Sequence, residues 1–223
     1  MGVTVERKAA EADVNNMINE FDSSEDEQGE EVDLSPLKVD WLDLSSVGFS
    51  TSLGISGLPG CRFNETWRSL MTDIEYLREE GITDIFVLCT RGELRKYRVP
   101  RLLQELTTAE FSVHHYPFPD GLTPSFANCA KLLEDMRVNI ASDRKCLVHC
   151  YGGLGRSCLI AACFLLMMSE DMESETAIDK VRALRGHSAI QTIKQFNYVN
   201  DFRKMYKEYE ESQPCNELRS ISR

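Results

Sequence analysis

The sequence predicts a mixed α/β fold, a mostly parallel twisted sheet with helices on both faces. Three observations carry this. Short apolar runs at 84–89 (DIFVLC) and 145–149 (KCLVH) have the length and bulk of strands covered on both faces. Amphipathic stretches of helical length lie between and after them. Strand and helix signals alternate along the chain instead of segregating, as layered α/β folds require.

Taken in order, residues 1–35 are rich in Glu, Asp, Ser and Asn, and FDSSEDEQGEEVD (21–33) offers almost nothing to bury. That composition reads as a disordered, self-repelling arm. It changes at Ser35-Pro36, so the folded domain is expected over 36–211, with 212–223 as a flexible tail. KVDWLDL (38–44) alternates as a strand should, ISGLPG (55–60) ends in a turn, and Asn64 is placed to cap a helix that runs to Glu80 and stops at Gly81. After strand 84–89 comes a polar segment, TRGELRKY. Residues 102–109 read as a helix, SVHHYPF (112–118) as a strand, PDGLTP (119–124) as a turn-rich loop, and 125–140 as an amphipathic helix. Strand 145–149 leads through a glycine-rich turn into an apolar, hence central, helix over 157–168; two more helices fit 174–184 and 192–211.

The chain has 223 residues and a net charge of −11, which disfavours nucleic acid and anionic membranes as partners. Its start, MGVTVERKAAEADVNN, has no apolar run of a secretory signal, Glu6 stands where a myristoylation site needs Ser or Thr, and the longest apolar run, 159–168, is too short to span a bilayer. The expectation is a monomer of the cytoplasm, with a perinuclear or nuclear site as the alternative. The eight cysteines are then reduced, and none forms a C-x-x-C pair, so no metal or cofactor is expected.

HCYGGLGRS (149–157) carries the chemistry. A turn between a strand and a helix can point successive N–H groups inward, and the helix N-terminus adds positive potential. Tyr151, Gly152, Gly153, Leu154 and Gly155 therefore suit an anion cradle, and Arg156 adds a planar fork for two phosphate oxygens. The same field favours a thiolate at Cys150 as nucleophile. No lysine follows these glycines, so the nucleotide-binding pattern G-x-x-x-x-G-K-[ST] is not matched. His149 either is a satisfied strand-end histidine or orients the loop through the backbone. Ser157 either caps the helix or donates to the Cys150 sulfur. Phosphoryl transfer also needs an acid for the departing oxygen. Asp120, in FPDG, is the candidate, although DG by itself is also a plain turn signal.

The string H-C-x-x-G-x-x-R-S after an apolar strand resembles the signature of the protein-tyrosine-phosphatase superfamily, with its mobile acid loop at Asp120. More narrowly, GLPGCRF (57–63), DIFVLCTRGELRKYRVP (84–100), DGLTP (120–124), HCYGGLGRSC (149–158) and AIQTIKQFNY (189–198) resemble the cyclin-dependent kinase-associated phosphatases of the dual-specificity branch, a likeness running from about Trp41 to Tyr198. The resemblance implies a cysteine-phosphatase fold, with Cys150 as nucleophile, Arg156 as phosphate binder and Asp120 as general acid. It implies as substrate the activation-segment phosphothreonine of a cyclin-dependent kinase, whose removal restrains the cell cycle. It also places kinase docking on the last helix, where Tyr198, Phe202, Lys204 and Tyr206 mix aromatic and charged character. Gln191 and Gln195 resemble the water-positioning glutamines of tyrosine-specific members, or are solvated on that helix. Phe118-Pro119-Asp120 stands where those members carry Trp-Pro-Asp, and no tyrosine-gripping loop is found, so a shallow pocket admitting phosphothreonine is expected.

Two other readings compete. A phosphoinositide phosphatase would carry lysines inside the loop, and residues 151–155 offer none. A non-catalytic kinase-binding inhibitor would have no use for an intact Cys150, Arg156 and Asp120. Among the other thiols Cys89 is the redox candidate, because it ends a strand expected beside 145–149. Cys146, Cys158 and Cys163 read as packing residues.

Overall fold

The computed structural model describes residues 32–212; the expected arm up to 31 and the tail from 213 lie outside the described residues. Ordered contacts begin before Pro36. Arg68, nearly buried, donates from Nη1 to Asp33 at 2.7 Å and from Nη2 to the Ser35 carbonyl at 2.6 Å. It also pairs with buried Asp73, whose other oxygen accepts from the Gly60 N–H at 2.8 Å.

The main sheet is built from β1 (Val39–Asp43), β2 (Ser52–Ser56), β5 (Asp84–Val87), β6 (Ser112–His115) and β7 (Cys146–His149), in the order β1-β2-β7-β5-β6. Only β1 and β2 pair antiparallel; β2–β7, β7–β5 and β5–β6 are parallel. Two-residue strands β3 (Arg62–Phe63) and β4 (Thr66–Trp67) make a separate hairpin. Strand alternation splits the core. Ile85, Val87 and Leu147 face a layer made by α1 (Leu70–Glu79), α2 (Arg91–Lys96) and α3 (Leu102–Thr108). Phe86, Leu53, Ile55 and Val148 face the opposite layer, α4 (Phe126–Ala141), α5 (Arg156–Met168), α6 (Ser174–Arg185) and α7 (Ile193–Ser212). Helix α5 is buried along Arg156–Leu166, which is why its sequence is apolar all round. Phe86 and Phe164 are wholly inaccessible; truncating such a side chain to alanine costs about 3–5 kcal/mol.

The expected fold class is therefore the observed one, and most elements are as read, with differences that have physical causes. Asn64 caps no helix. It takes the left-handed φ of 54° that the two-residue hairpin turn needs, and Ser69 caps α1 by accepting from the Thr72 N–H. Gly81, at φ 72°, does end that helix. ISGLPG ends in a turn as read, and its first two residues complete β2. The polar segment TRGELRKY is helix α2, opened by a reciprocal capping box between Thr90 and Glu93. Strand β6 ends at His115, before Pro117 and Pro119, which have no N–H to give a ladder.

Candidate active site

Parallel strands deliver the site at their carboxyl ends, where α/β sheets bind ligands. Central strand β7 ends at His149, and the chain turns through 150–155 into α5. The turn's carbonyls point outward and are tied down. Tyr151 O accepts from the Leu58 N–H at 2.9 Å, Gly153 O from Arg185 Nε at 3.0 Å, and Leu154 O from the Ile190 N–H at 2.9 Å. Gly153 sits at φ 68°, and a Cβ there would lie 2.6 Å from the Ser56 carbonyl, so only glycine fits. With the carbonyls fixed outward, the N–H groups of residues 151–155 meet no protein acceptor among the described residues. They form the predicted cradle around Cys150, whose Sγ lies 3.2 Å from Ser157 Oγ.

Arg156 is fully buried beneath this cradle. Its Nη1 donates to Glu93 Oε2 at 2.9 Å and Nη2 lies 2.8 Å from Oε1, so Glu93 of α2 neutralises it side-on. Burial is the largest single influence on the Arg156 pKa and lowers it. The Glu93 hydrogen bond and the negative charge that Cys89, Cys150 and Glu93 can carry beside it together outweigh burial, and the net shift is upward. Burial pushes Glu93 the other way, and bonds from Arg156 and the Thr90 N–H bring its carboxyl below the usual range. Nη1 also reaches the Phe118 carbonyl at 2.9 Å, and Nε lies 3.2 Å from Asp120 Oδ1. The acid loop thus lies over the nucleophile's loop, with the half-exposed Asp120 carboxylate against the guanidinium edge.

His149 is wholly buried, and burial brings its pKa down to about 4, so it is neutral at physiological pH. Its Nδ1 lies 3.4 Å from the Cys150 carbonyl, the backbone contact the sequence suggested. Gln195 is not solvated: it is buried, with Oε1 accepting from the Gln191 N–H at 3.0 Å. Exposed Gln191 precedes α7, and its Oε1 would meet a Cβ added at Gly155 at 2.8 Å, so both glutamines abut the loop. Cys89 is buried, its Sγ 4.0 Å from Arg156 Nη2, and burial raises its thiol pKa strongly despite that cation. Cys146, Cys158 and Cys163 pack the core as read.

Sequence reasoning missed Glu93, Arg185 and an aromatic flank. The Thr90-x-x-Glu93 capping pattern was visible, but its pairing with a residue 63 positions on was not. Phe63 of the hairpin stands edge-on to Tyr97 and Tyr151, which stack at 4.3 Å beside the loop.

The chain matches the family model described as Cyclin-dependent kinase inhibitor 3 over residues 12–178. The chain belongs to the cyclin-dependent kinase inhibitor 3 family. Curated members of that name from Sus scrofa and Homo sapiens are 49% identical over 185 residues and 48% identical over 205 residues. These alignments cover 83% and 92% of this chain and 87% and 96% of the relatives. A crystal structure of kinase associated phosphatase, carrying serine for its catalytic-site cysteine, superposes with a TM-score of 0.76 at 49% identity, covering 77% of this chain and 97% of that one. This member of the cyclin-dependent kinase inhibitor 3 family is a protein phosphatase with the protein-tyrosine-phosphatase fold.

Proposed function

We propose that the enzyme removes phosphate from protein hydroxyls through a phosphocysteine intermediate. Its foremost substrate is the activation-segment phosphothreonine of a cyclin-dependent kinase, and the removal restrains the cell cycle. The observation that carries the reading is the run of N–H groups at 151–155, which meet no protein acceptor among the described residues, between the Cys150 sulfur and buried Arg156. The names of the relatives supply the kinase, and the relative's catalytic-site cysteine fits the role given to Cys150.

In the first step the Cys150 sulfur attacks phosphorus in line; the S–P bond forms as the P–O bond to the substrate breaks. Charge on the three phosphoryl oxygens falls on the loop N–H groups and Arg156. A phosphate oxygen replaces the Asp120 carboxylate at Arg156 Nε, and protonated Asp120 gives its proton to the leaving oxygen. In the second step water attacks phosphorus, Asp120 takes the proton, and the thiolate leaves with the Ser157 hydroxyl donating to it.

The test is phosphate release from a phosphothreonine activation-segment peptide and from the phosphorylated kinase, with chelator present. Wild type should turn over both. Cys150→Ser should keep its fold, lose turnover and retain the phosphorylated kinase in a pull-down. Substantial turnover by Cys150→Ser would overturn the mechanism.

A further inference from the structure

The acid loop is held from two sides, and only one of them is Arg156. On the other side lies the segment that opens α7. Thr192 Oγ1 donates to the Gly121 carbonyl at 3.0 Å while accepting from the Gln195 N–H at 3.2 Å. One hydroxyl therefore caps the helix and grips the loop. Gln195 Nε2 donates to the Leu122 carbonyl at 3.4 Å. Gly121 takes φ 72°, a left-handed turn directly after the acid that any other residue would strain to adopt. Two residues before Thr192, the Ile190 N–H holds the Leu154 carbonyl of the phosphate loop. Ile190 is β-branched and has φ 62°, a conformation such residues rarely adopt. One short segment, 190–195, thus clasps both loops that the reaction needs.

We propose that Thr192, seconded by Gln195, is a latch that sets how often Asp120 stands over the nucleophile, and so is a positioning residue for the general-acid step. The inference rests on Asp120 being that acid. Neither latch bond involves the substrate, so the latch sets the balance of closed and open loop before anything binds. Removing one neutral hydrogen bond shifts such a balance about five- to tenfold. The loss shows where protonation of the leaving group matters, on an alkyl phosphate, and much less in kcat/KM for an activated aryl phosphate.

The experiment compares wild type, Thr192→Val, Thr192→Ser, Asp120→Asn and the Asp120→Asn/Thr192→Val double variant on a phosphothreonine peptide and on p-nitrophenyl phosphate. Expected is a loss of about five- to tenfold in kcat/KM for Thr192→Val on the peptide, under twofold on the aryl ester. Thr192→Ser, which keeps the hydroxyl, should be near wild type. The double variant should lose nothing beyond Asp120→Asn, because a latch has no effect once its acid is gone. Thr192→Val equal to wild type on the peptide, equal losses on both substrates, or additive losses in the double variant would each overturn the latch. If Asp120→Asn itself fails to discriminate between the substrates, the acid assignment falls and the latch with it. If Asp120→Asn discriminates and Thr192→Val does not, the latch alone falls.

Discussion

Arg156 has no exposed surface, and a buried cation without a counter-ion costs several kcal/mol. Glu93 is the residue that makes it tolerable, and Thr90 in turn holds Glu93. Glu93→Ala should lower stability by about 3–5 kcal/mol, the usual cost of breaking a buried pair from one side. It should also lower turnover, because the fork is no longer aimed. Denaturant unfolding and steady-state rates on an aryl phosphate check both, and an unchanged midpoint would show that Asp120 and the Phe118 carbonyl suffice to hold Arg156. His149 gives a pH dependence. Its folded pKa of about 4 lies below the unfolded value, so the unfolded chain binds the extra proton. The neutral imidazole's contribution is complete above the unfolded pKa of about 6.5 and fades as pH falls toward the folded value. Between pH 7 and 4.5 the wild type should lose about 2 kcal/mol more than His149→Gln, measured by urea unfolding. At this scale the sequence was most legible where side chains needed for one reaction sit at fixed spacing, as in 149–157. It was silent where partners come from distant elements, as with Glu93 on Arg156, Arg185 on Gly153 and Thr192 on Gly121.

Helix α7 has two faces with separate duties. Tyr198, Val199 and Phe202 are buried against α4 and α5, so two of the residues expected to dock a kinase serve the core instead. Ile193, 80% exposed, and Phe196 lie one turn apart at the start of the helix, where Gln195 reaches the carbonyl of Leu122 in the acid loop, whose side chain is also exposed. This apolar rim beside the pocket suits a folded phosphoprotein better than a small ester, since a stable interface must bury about 1,200–2,000 Å². Ile193→Ser should therefore reduce kcat/KM on the phosphorylated kinase about tenfold or more, with p-nitrophenyl phosphate turnover near wild type. Parallel loss on both substrates would point to damage to the fold or the phosphate loop and would sink the docking role. Among elements, long ones were legible, the periodic α4, α6 and α7 and the uniformly apolar α5 lying close to their expected bounds. The hairpin was not, because two-residue strands show no period. Helix α2 was missed because its six residues bury only Leu94 and leave the rest polar.

Across the whole molecule, the acidic arm holds none of the candidate catalytic residues, and its composition cannot build a core. Removing residues 1–31 should leave kcat on an aryl phosphate within about twofold of wild type, the range of a change that touches no named interaction. Extending the deletion through Ser35 removes Asp33 and the carbonyl that hold Arg68, and should lower the melting temperature by several degrees. A collapsed rate in the shorter deletion would refute the division. The sheet order carries a consequence for how the chain is made. Strand β7 is the last to be synthesised, yet it is central, and it must slide between β2 and β5, residues that leave the ribosome long before it. Without β7 the β1–β2 and β5–β6 pairs share no strand contact in the main sheet, and the inner edge of each is left unfilled. Such edges invite wrong partners, and long-range parallel pairing is slow. Residues 146–149 close both edges at once, and the nucleophile is the very next residue. Completion of the sheet and delivery of the nucleophile therefore belong to the same strand insertion, and a polypeptide cut short before β7 is released with neither.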